Sequence, residues 1–108
     1  MIPQLEPVEL RGWQGDATRA PPALIDVREP WEFDYCRIEG SVLIPLGQLA
    51  ARLDELPRDR PLVIVCHHGN RSNVAAAILK QRGFGEVHNL RGGVELWAVE
   101  VDPTMKRY

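Results

Sequence analysis

The sequence has few cysteines, few aromatic residues and no long apolar run. Two cysteines in 108 residues do not make a disulfide framework, so we expect a reducing, cytoplasmic compartment. No stretch approaches the ~20 apolar residues that cross a bilayer, and the first residues lack the basic and apolar regions of a signal peptide. A formal charge of −2 gives no general attraction to nucleic acid or anionic membranes. We therefore expect neither as a partner.

Short apolar runs alternate with segments of helical spacing along the chain. The length suits one domain, with a core of about residues 5–100 and a tail, residues 101–108, over the surface. Strands are predicted at residues 23–27, 41–44, 62–65 and 87–90, and helices at residues 8–14, 31–36, 46–56, 71–81 and 93–99. This alternation predicts an α/β fold with a mainly parallel central sheet and helices on both faces.

Cys66 lies at the most informative position in the chain. It follows the buried strand predicted at residues 62–65 and precedes a glycine turn and a helix. The unpaired N–H groups and the positive dipole end of a helix N-terminus favour the thiolate, which is the nucleophilic form of cysteine. Buried cysteines are more often inert core residues. Here Gly69, the helix start and Arg71 converge on the sulfur, so we favour reactive sulfur chemistry.

Three motifs resemble one known family. Residues 66–72, Cys-His-His-Gly-Asn-Arg-Ser, resemble the active-site loop of single-domain rhodaneses, the thiosulfate sulfurtransferases, which usually reads Cys-x-x-Gly-x-Arg-Ser. Residues 24–33 are similar to the family's Asp-Val-Arg-Glu strand exit and the Glu-aromatic helix after it, and residues 90–97 match its Gly-Gly-x-x-x-Trp ending. The likeness departs at residues 36–41, Cys-Arg-Ile-Glu-Gly-Ser, where the family usually has Gly-His-Ile-x-Gly-Ala.

The resemblance implies a single rhodanese domain over residues 1–108, with Cys66 as the catalytic nucleophile. Its thiolate would attack the outer sulfur of a donor such as thiosulfate, and the persulfide would pass that sulfur to cyanide or a thiol, a thioredoxin-like or other protein included. The positive fork of Arg71 suits an oxyanionic donor. The Ser72 hydroxyl either donates to the sulfur anion or caps the helix. The expected substrate-binding residues are the remaining six of the loop: His67, His68, Gly69, Asn70, Arg71 and Ser72.

Two other functions stay open at this point. A persulfide carrier would hold the sulfur for one protein partner and turn over little thiosulfate. Rhodanese-like folds also resemble cell-cycle phosphatases, which place a cysteine and an arginine around an anion. That phosphatase loop is one residue longer than the four residues between Cys66 and Arg71. The shorter loop leaves less room for a tetrahedral oxyanion, which disfavours a phosphatase or arsenate reductase.

The remaining chemistry-bearing residues are given mainly structural roles. Neighbours in a tight turn tend to point in different directions, and no second Cys/His cluster completes a zinc site beside His67 and His68, so we expect no metal and no cofactor. Asp26 and Arg28 either support the site or form a structural ion-pair network, and the resemblance favours the network. Cys36 is either a packed residue or a resolving thiol for Cys66.

Four further side chains are given structural roles by their positions along the chain. His88 is expected to be a packed or edge residue of the last strand. The three tryptophans are too dispersed to form a stacking platform, so the core is predicted to contain Trp13, Trp31 and Trp97.

Overall fold

A sheet of five parallel strands, in the order β1-β5-β4-β2-β3, forms the centre of the protein. The structure is a computed structural model that describes residues 1–108. The strands are β1 (Gln4–Leu5), β2 (Ala23–Asp26), β3 (Val42–Leu43), β4 (Leu62–Val65) and β5 (Val87–Leu90). The helices are α1 (Pro7–Gln14), α2 (Pro30–Tyr35), α3 (Asn70–Gln81) and α4 (Gly93–Glu100). None of them has the length and apolarity that a membrane crossing requires.

The central strand β4 is apolar on both faces and fully buried. Side chains alternate between the two faces of a strand, so Leu62 and Ile64 face α3 while Val63 and Val65 face the opposite side. Cys66 continues this alternation and belongs to the same cluster as Ile64. The strand therefore delivers the sulfur toward the start of α3.

Helices cover both faces of the sheet, as the alternating pattern predicts. One face packs against α3 and the segment between β3 and β4, and its buried side chains include Ile25, Ile44, Leu49, Ala76 and Leu79. The other packs against α1 and α4, and its buried side chains include Leu10, Trp13, Leu90, Val94 and Trp97. The predicted α/β fold with a parallel sheet is confirmed.

The helix predicted at residues 46–56 is wrong in type. This segment forms two short 3₁₀ helices, Leu46–Ala51 and Leu53–Glu55. Arg52 separates them with φ −123° and ψ 24°, outside helical values. Gly47 weakens the first turn because glycine has a low helix propensity. The apolar spacing that predicted a helix reflects only the burial of Leu49 and Leu56, not the helix type.

Two of the three tryptophans lie in the core as predicted, but Trp31 does not. Trp13 and Trp97 are buried, and His88 packs edge-on against Trp13 with ring centroids 5.5 Å apart. Trp31 is 62% exposed on α2 and contacts the ring of Tyr108 edge-on at 5.6 Å. With only six residues, α2 buries one narrow side and leaves Trp31 on the other.

A buried ion pair fixes the exit of β2. Asp26 and Arg28 are both fully buried, and Arg28 donates to both carboxylate oxygens of Asp26 at 2.8–3.1 Å. Arg28 also donates to the carbonyl oxygens of Cys36 at 2.6 Å and Glu32 at 3.3 Å. This is the structural network that the resemblance favours. The carbonyl of residue 36 is available from any amino acid, which explains why cysteine can replace the family's glycine there.

We expect Asp26→Asn to destabilise the fold by about 3–5 kcal/mol, because the change leaves the Arg28 guanidinium buried without its counter-charge. Chemical denaturation measures the loss. A matched control is Glu55→Gln, which breaks the exposed pair of Arg52 and Glu55 and should cost less than about 1 kcal/mol. Equal losses in the two variants would contradict the structural role of the buried pair.

Candidate active site

The sulfur of Cys66 takes the place of a cap at the start of α3. Gly69 and Ser72 donate their backbone N–H groups to Sγ at 3.1 Å and 3.2 Å. No side chain of the preceding residue caps this helix, so the sulfur accepts one of the N–H groups that helix geometry leaves unpaired. Gly69 permits the approach because its φ of +99° belongs to the left-handed region that favours glycine. The side chain of Cys66 is almost fully buried.

The start of α4 forms backbone hydrogen bonds with this loop. Val94 donates its N–H to the carbonyl of Cys66 at 2.9 Å, and Glu95 donates to the carbonyl of His67 at 3.1 Å. A Cβ atom at Gly93, whose φ is +58°, would collide with the Cys66 carbonyl oxygen. Gly93, the second glycine of the Gly-Gly-x-x-x-Trp motif, therefore lets α4 pack directly against the loop.

Arg71 binds a carboxylate that the sequence motifs did not indicate as its partner. Its Nη1 and Nη2 donate to the two oxygens of Glu32 on α2, at 2.7 Å and 2.9 Å. These bonds lower the pKa of Glu32 to about 2 from an ordinary 4.5 and raise the pKa of Arg71. Glu32 is buried while Arg71 is partly exposed. Glu32 belongs to the Glu-aromatic motif, but a single sequence does not show with which cation a glutamate forms an ion pair.

The two histidines of the loop stack on each other, so the expectation that they point in different directions is wrong. Their ring centroids lie 3.9 Å apart, with an interplanar angle of 28°. The ring of Tyr108 covers the other face of His67 at 3.9 Å and 14°. Burial, together with the neighbouring His68, lowers the pKa of His67 and keeps it neutral at pH 7. Its Nε2 atom is buried without a hydrogen-bond partner.

The tail, residues 101–108, does more than lie over the surface, because Tyr108 reaches the site. Its hydroxyl accepts from Nη1 of Arg28 at 2.8 Å and donates to Oε2 of Glu32 at 2.7 Å. Burial raises the pKa of this hydroxyl to about 12. Arg107 fixes the same segment through an ion pair with Glu95. No periodicity or motif in the tail predicts these contacts.

Ser72 contacts both the sulfur and a second residue that the sequence did not indicate. Its Oγ lies 3.1 Å from Sγ of Cys66 and donates to Oδ1 of Asn89 at 2.5 Å. Asn89 is a buried polar residue on β5. The one available signal was its polarity within an otherwise largely apolar strand. The exposed side of the loop, formed by His68 and Asn70, lines a polar pocket of about 240 Å³ that does not include Cys66.

The two cysteines lie on opposite faces of the sheet. Cys66 belongs to the cluster that faces α3, whereas Cys36 belongs to the cluster that faces α1 and α4. Both are free and buried. The packed role is therefore the one that the structure shows for Cys36, and it does not bring that thiol to Cys66.

Known proteins share this fold. Residues 6–100 match the family described as Rhodanese-like domain. The chain is 45% identical to the thiosulfate sulfurtransferase GlpE of Pseudomonas syringae over 68% of its own length and 70% of that protein. It is 40% identical to the probable adenylyltransferase/sulfurtransferase MoeZ of Mycobacterium tuberculosis over 96% of its own length, which is only 26% of that relative. The crystal structure of reduced Bacillus anthracis CoADR-RHD superposes with a TM-score of 0.85 at 34% identity, over 96% of this chain and 18% of that one.

The family match takes in every motif that carries the resemblance. It includes the strand exit of residues 24–33, the loop of residues 66–72 and the glycine pair that begins α4. The match covers most of the chain, and the structure places these motifs around one buried sulfur. The chain belongs to the rhodanese-like domain family.

Proposed function

We propose that this protein is a thiosulfate:acceptor sulfurtransferase that works through a persulfide on Cys66. The thiolate attacks the outer sulfur of thiosulfate, a new S–S bond forms, and sulfite leaves with the electron pair of the old one. Cyanide or a thiolate then attacks the outer sulfur of the persulfide, and the Cys66 thiolate is released. Relatives of this chain are named sulfurtransferases, which supports the proposal.

The observation that carries the proposal is the pair of backbone N–H groups on Sγ. Both donors are fixed by the fold, one in the loop and one in the first turn of α3. Fixed donors stabilise a developing negative charge without reorganising during the reaction. In the persulfide the charge moves to the outer sulfur, where backbone N–H groups of residues 67–72 would stabilise it.

His67 offers a further contact for a donor oxygen. A buried polar atom without a partner costs about 1–3 kcal/mol, and Nε2 of His67 is in that state. Because the neutral ring carries one N–H, which of its nitrogens donates is set by the partner that arrives. A sulfonate oxygen of thiosulfate would satisfy Nε2 only if the His67 ring or the Tyr108 ring over it moved, because the atom is enclosed in this structure.

Mass spectrometry of the intact protein tests the proposed function. Thiosulfate should add one sulfur atom to the native chain, and cyanide should then remove it, because the persulfide sulfur is electrophilic. Cys66→Ser should gain no sulfur. The matched control is Cys36→Ser, which should load as the native chain does because Cys36 lies on the other face of the sheet. An adduct that persists in Cys66→Ser, or no adduct on the native chain, would overturn the proposal.

A persulfide carrier is the second candidate, and the Arg71–Glu32 pair favours it. A guanidinium that already holds a carboxylate at 2.7 Å and 2.9 Å attracts a dianion less than a free one does. Exposed aromatic side chains surround the same edge of the site, with Trp31 62%, Tyr35 45% and Tyr108 36% exposed. Aromatic residues of this kind are enriched where proteins dock. A carrier would load and unload through a protein partner and use thiosulfate poorly.

Two opposite substitutions separate the candidates. Arg71→Ala should raise the KM for thiosulfate, and Glu32→Gln should lower it by freeing the guanidinium. A charge-assisted hydrogen bond contributes about 1.5–3 kcal/mol, so roughly tenfold changes are expected. Steady-state kinetics with thiosulfate and cyanide measure both. Unchanged KM values in both variants would exclude Arg71 as the donor-binding cation and leave the carrier.

Acid unfolding of the same variants provides the control for folding. Glu32 has a pKa of about 2 in the folded protein against an ordinary 4.5. A lowered folded-state pKa stabilises the fold above the unfolded value and loses that effect as the pH falls through the folded one. The stability difference between native and Glu32→Gln should therefore shrink from pH 5 to pH 2. The kinetic comparison is made at pH 7 with both variants folded.

A further inference from the structure

The orientation of the Asn89 side chain is determined by its neighbours. Its Nδ2 lies 3.1 Å from the carbonyl oxygen of Gly69 and 2.7 Å from Oε1 of Gln4. A backbone carbonyl only accepts, so the amide nitrogen must face it. The opposite atom, Oδ1, therefore faces the hydroxyl of Ser72.

The Ser72 hydroxyl has one proton, and it donates this proton in a hydrogen bond to Asn89. Oδ1 of Asn89 cannot donate, so the 2.5 Å contact requires Ser72 to be the donor. Ser72 then has only lone pairs to present to Sγ of Cys66, 3.1 Å away. Of the two arrangements that the Cys66–Ser72 distance allows, this one makes the thiol the donor and the hydroxyl the acceptor.

We propose that Asn89 is a positioning residue for sulfur transfer, because it commits the Ser72 proton and thereby withholds a hydrogen bond from the Cys66 thiolate. The inference rests on the proposed role of Cys66 as the nucleophile. The thiolate keeps only its two backbone donors and faces an oxygen lone pair. It is less stabilised than a thiolate with a third donor, and a less stabilised thiolate is a stronger nucleophile.

The same arrangement favours the loaded state. When the outer sulfur has joined Cys66, Sγ is bonded to two heavy atoms and no longer carries the charge. The lone pair of Ser72 then faces a neutral sulfur, so the repulsion that it exerted on the thiolate is relieved. Asn89 therefore shifts the balance between free thiolate and persulfide toward the persulfide.

Charged and titratable groups lie around the loop that holds this sulfur. Arg71 on α3 interacts with Cys66, with Glu32 on α2 and with Tyr108 in the tail. His67 in the loop interacts with His68, with Glu32, with Glu95 on α4 and with Arg28 at the exit of β2. None of them contacts the Asn89 side chain through a hydrogen bond. Substitutions at Asn89 and Ser72 therefore leave this set in place.

The proposal predicts the direction in which one substitution shifts the midpoint of the curve of Cys66 alkylation rate against pH. The rate of Cys66 alkylation by iodoacetamide is measured against pH in a Cys36→Ser background. Ser72→Ala removes an acceptor from the thiol and a lone pair from the thiolate, so the midpoint should fall by roughly half a pH unit to one unit. If Ser72 instead donates to the thiolate, the midpoint rises and the proposal is overturned.

A double-substitution cycle isolates the part played by Asn89. Asn89→Leu keeps the branched arrangement of heavy atoms, although its methyl groups are larger, and frees the Ser72 proton to donate to the thiolate, so the midpoint should again fall. In the Ser72→Ala background the same change should have no effect, because no hydroxyl remains to be redirected. Asn73→Ala is the control. It removes the hydrogen bond that Gln4 donates to the Asn73 side chain. Both acceptors of the Asn89 amide nitrogen remain, so the midpoint should not move.

These outcomes are separate from those of the proposed function. Alkylation requires only the thiolate, so the cycle gives a result whether or not thiosulfate is a substrate. A shift caused by Asn89→Leu that persists without Ser72 would show that Asn89 acts by packing, and it would overturn the proposal. The midpoints are compared only between variants with native-like thermal unfolding. The single variant Ser72→Ala, which removes one oxygen atom, remains decisive if Asn89→Leu does not fold.

Discussion

The site depends on one interaction: Gly69 and Ser72 both donate their backbone N–H groups to the Cys66 sulfur. It makes a side chain the cap of α3, so the helix that stabilises the sulfur anion is itself held by that sulfur. The arrangement requires a strand that ends beneath the helix and a residue with positive φ between them. β4 and Gly69 supply these two conditions.

The surrounding elements hold this loop from two sides. Behind it, α4 donates two backbone hydrogen bonds to the loop carbonyls and needs Gly93 to approach closely enough. In front, α2 carries Glu32, which accepts from Arg71 and from Tyr108. The buried Asp26–Arg28 pair ties the same helix to the sheet. The sulfur is thus held by backbone hydrogen bonds, and side chains from α2 and the tail form the edge of the site beside His67.

The sequence predicted most of the fold and the identity of the loop, because these depend on local patterns. Strand β4 and the following glycine turn are contiguous, and their order alone brings Cys66 to a helix N-terminus. Contacts between distant segments were not predicted. Tyr108 meets Glu32 across 76 positions of the chain, and Asn89 meets Ser72 across 17. Such contacts follow from the packed fold, whereas spacing and composition describe only neighbours.

The most direct test of the central claim is a crystal structure of the native protein after reaction with thiosulfate. We expect one additional sulfur atom bonded to Sγ of Cys66, lying inside the loop and within hydrogen-bond distance of backbone N–H groups of residues 67–72. The Gly69 φ and the start of α3 should be unchanged. An additional sulfur that lies outside the loop, or a loop that must unfold to hold it, would contradict the claim.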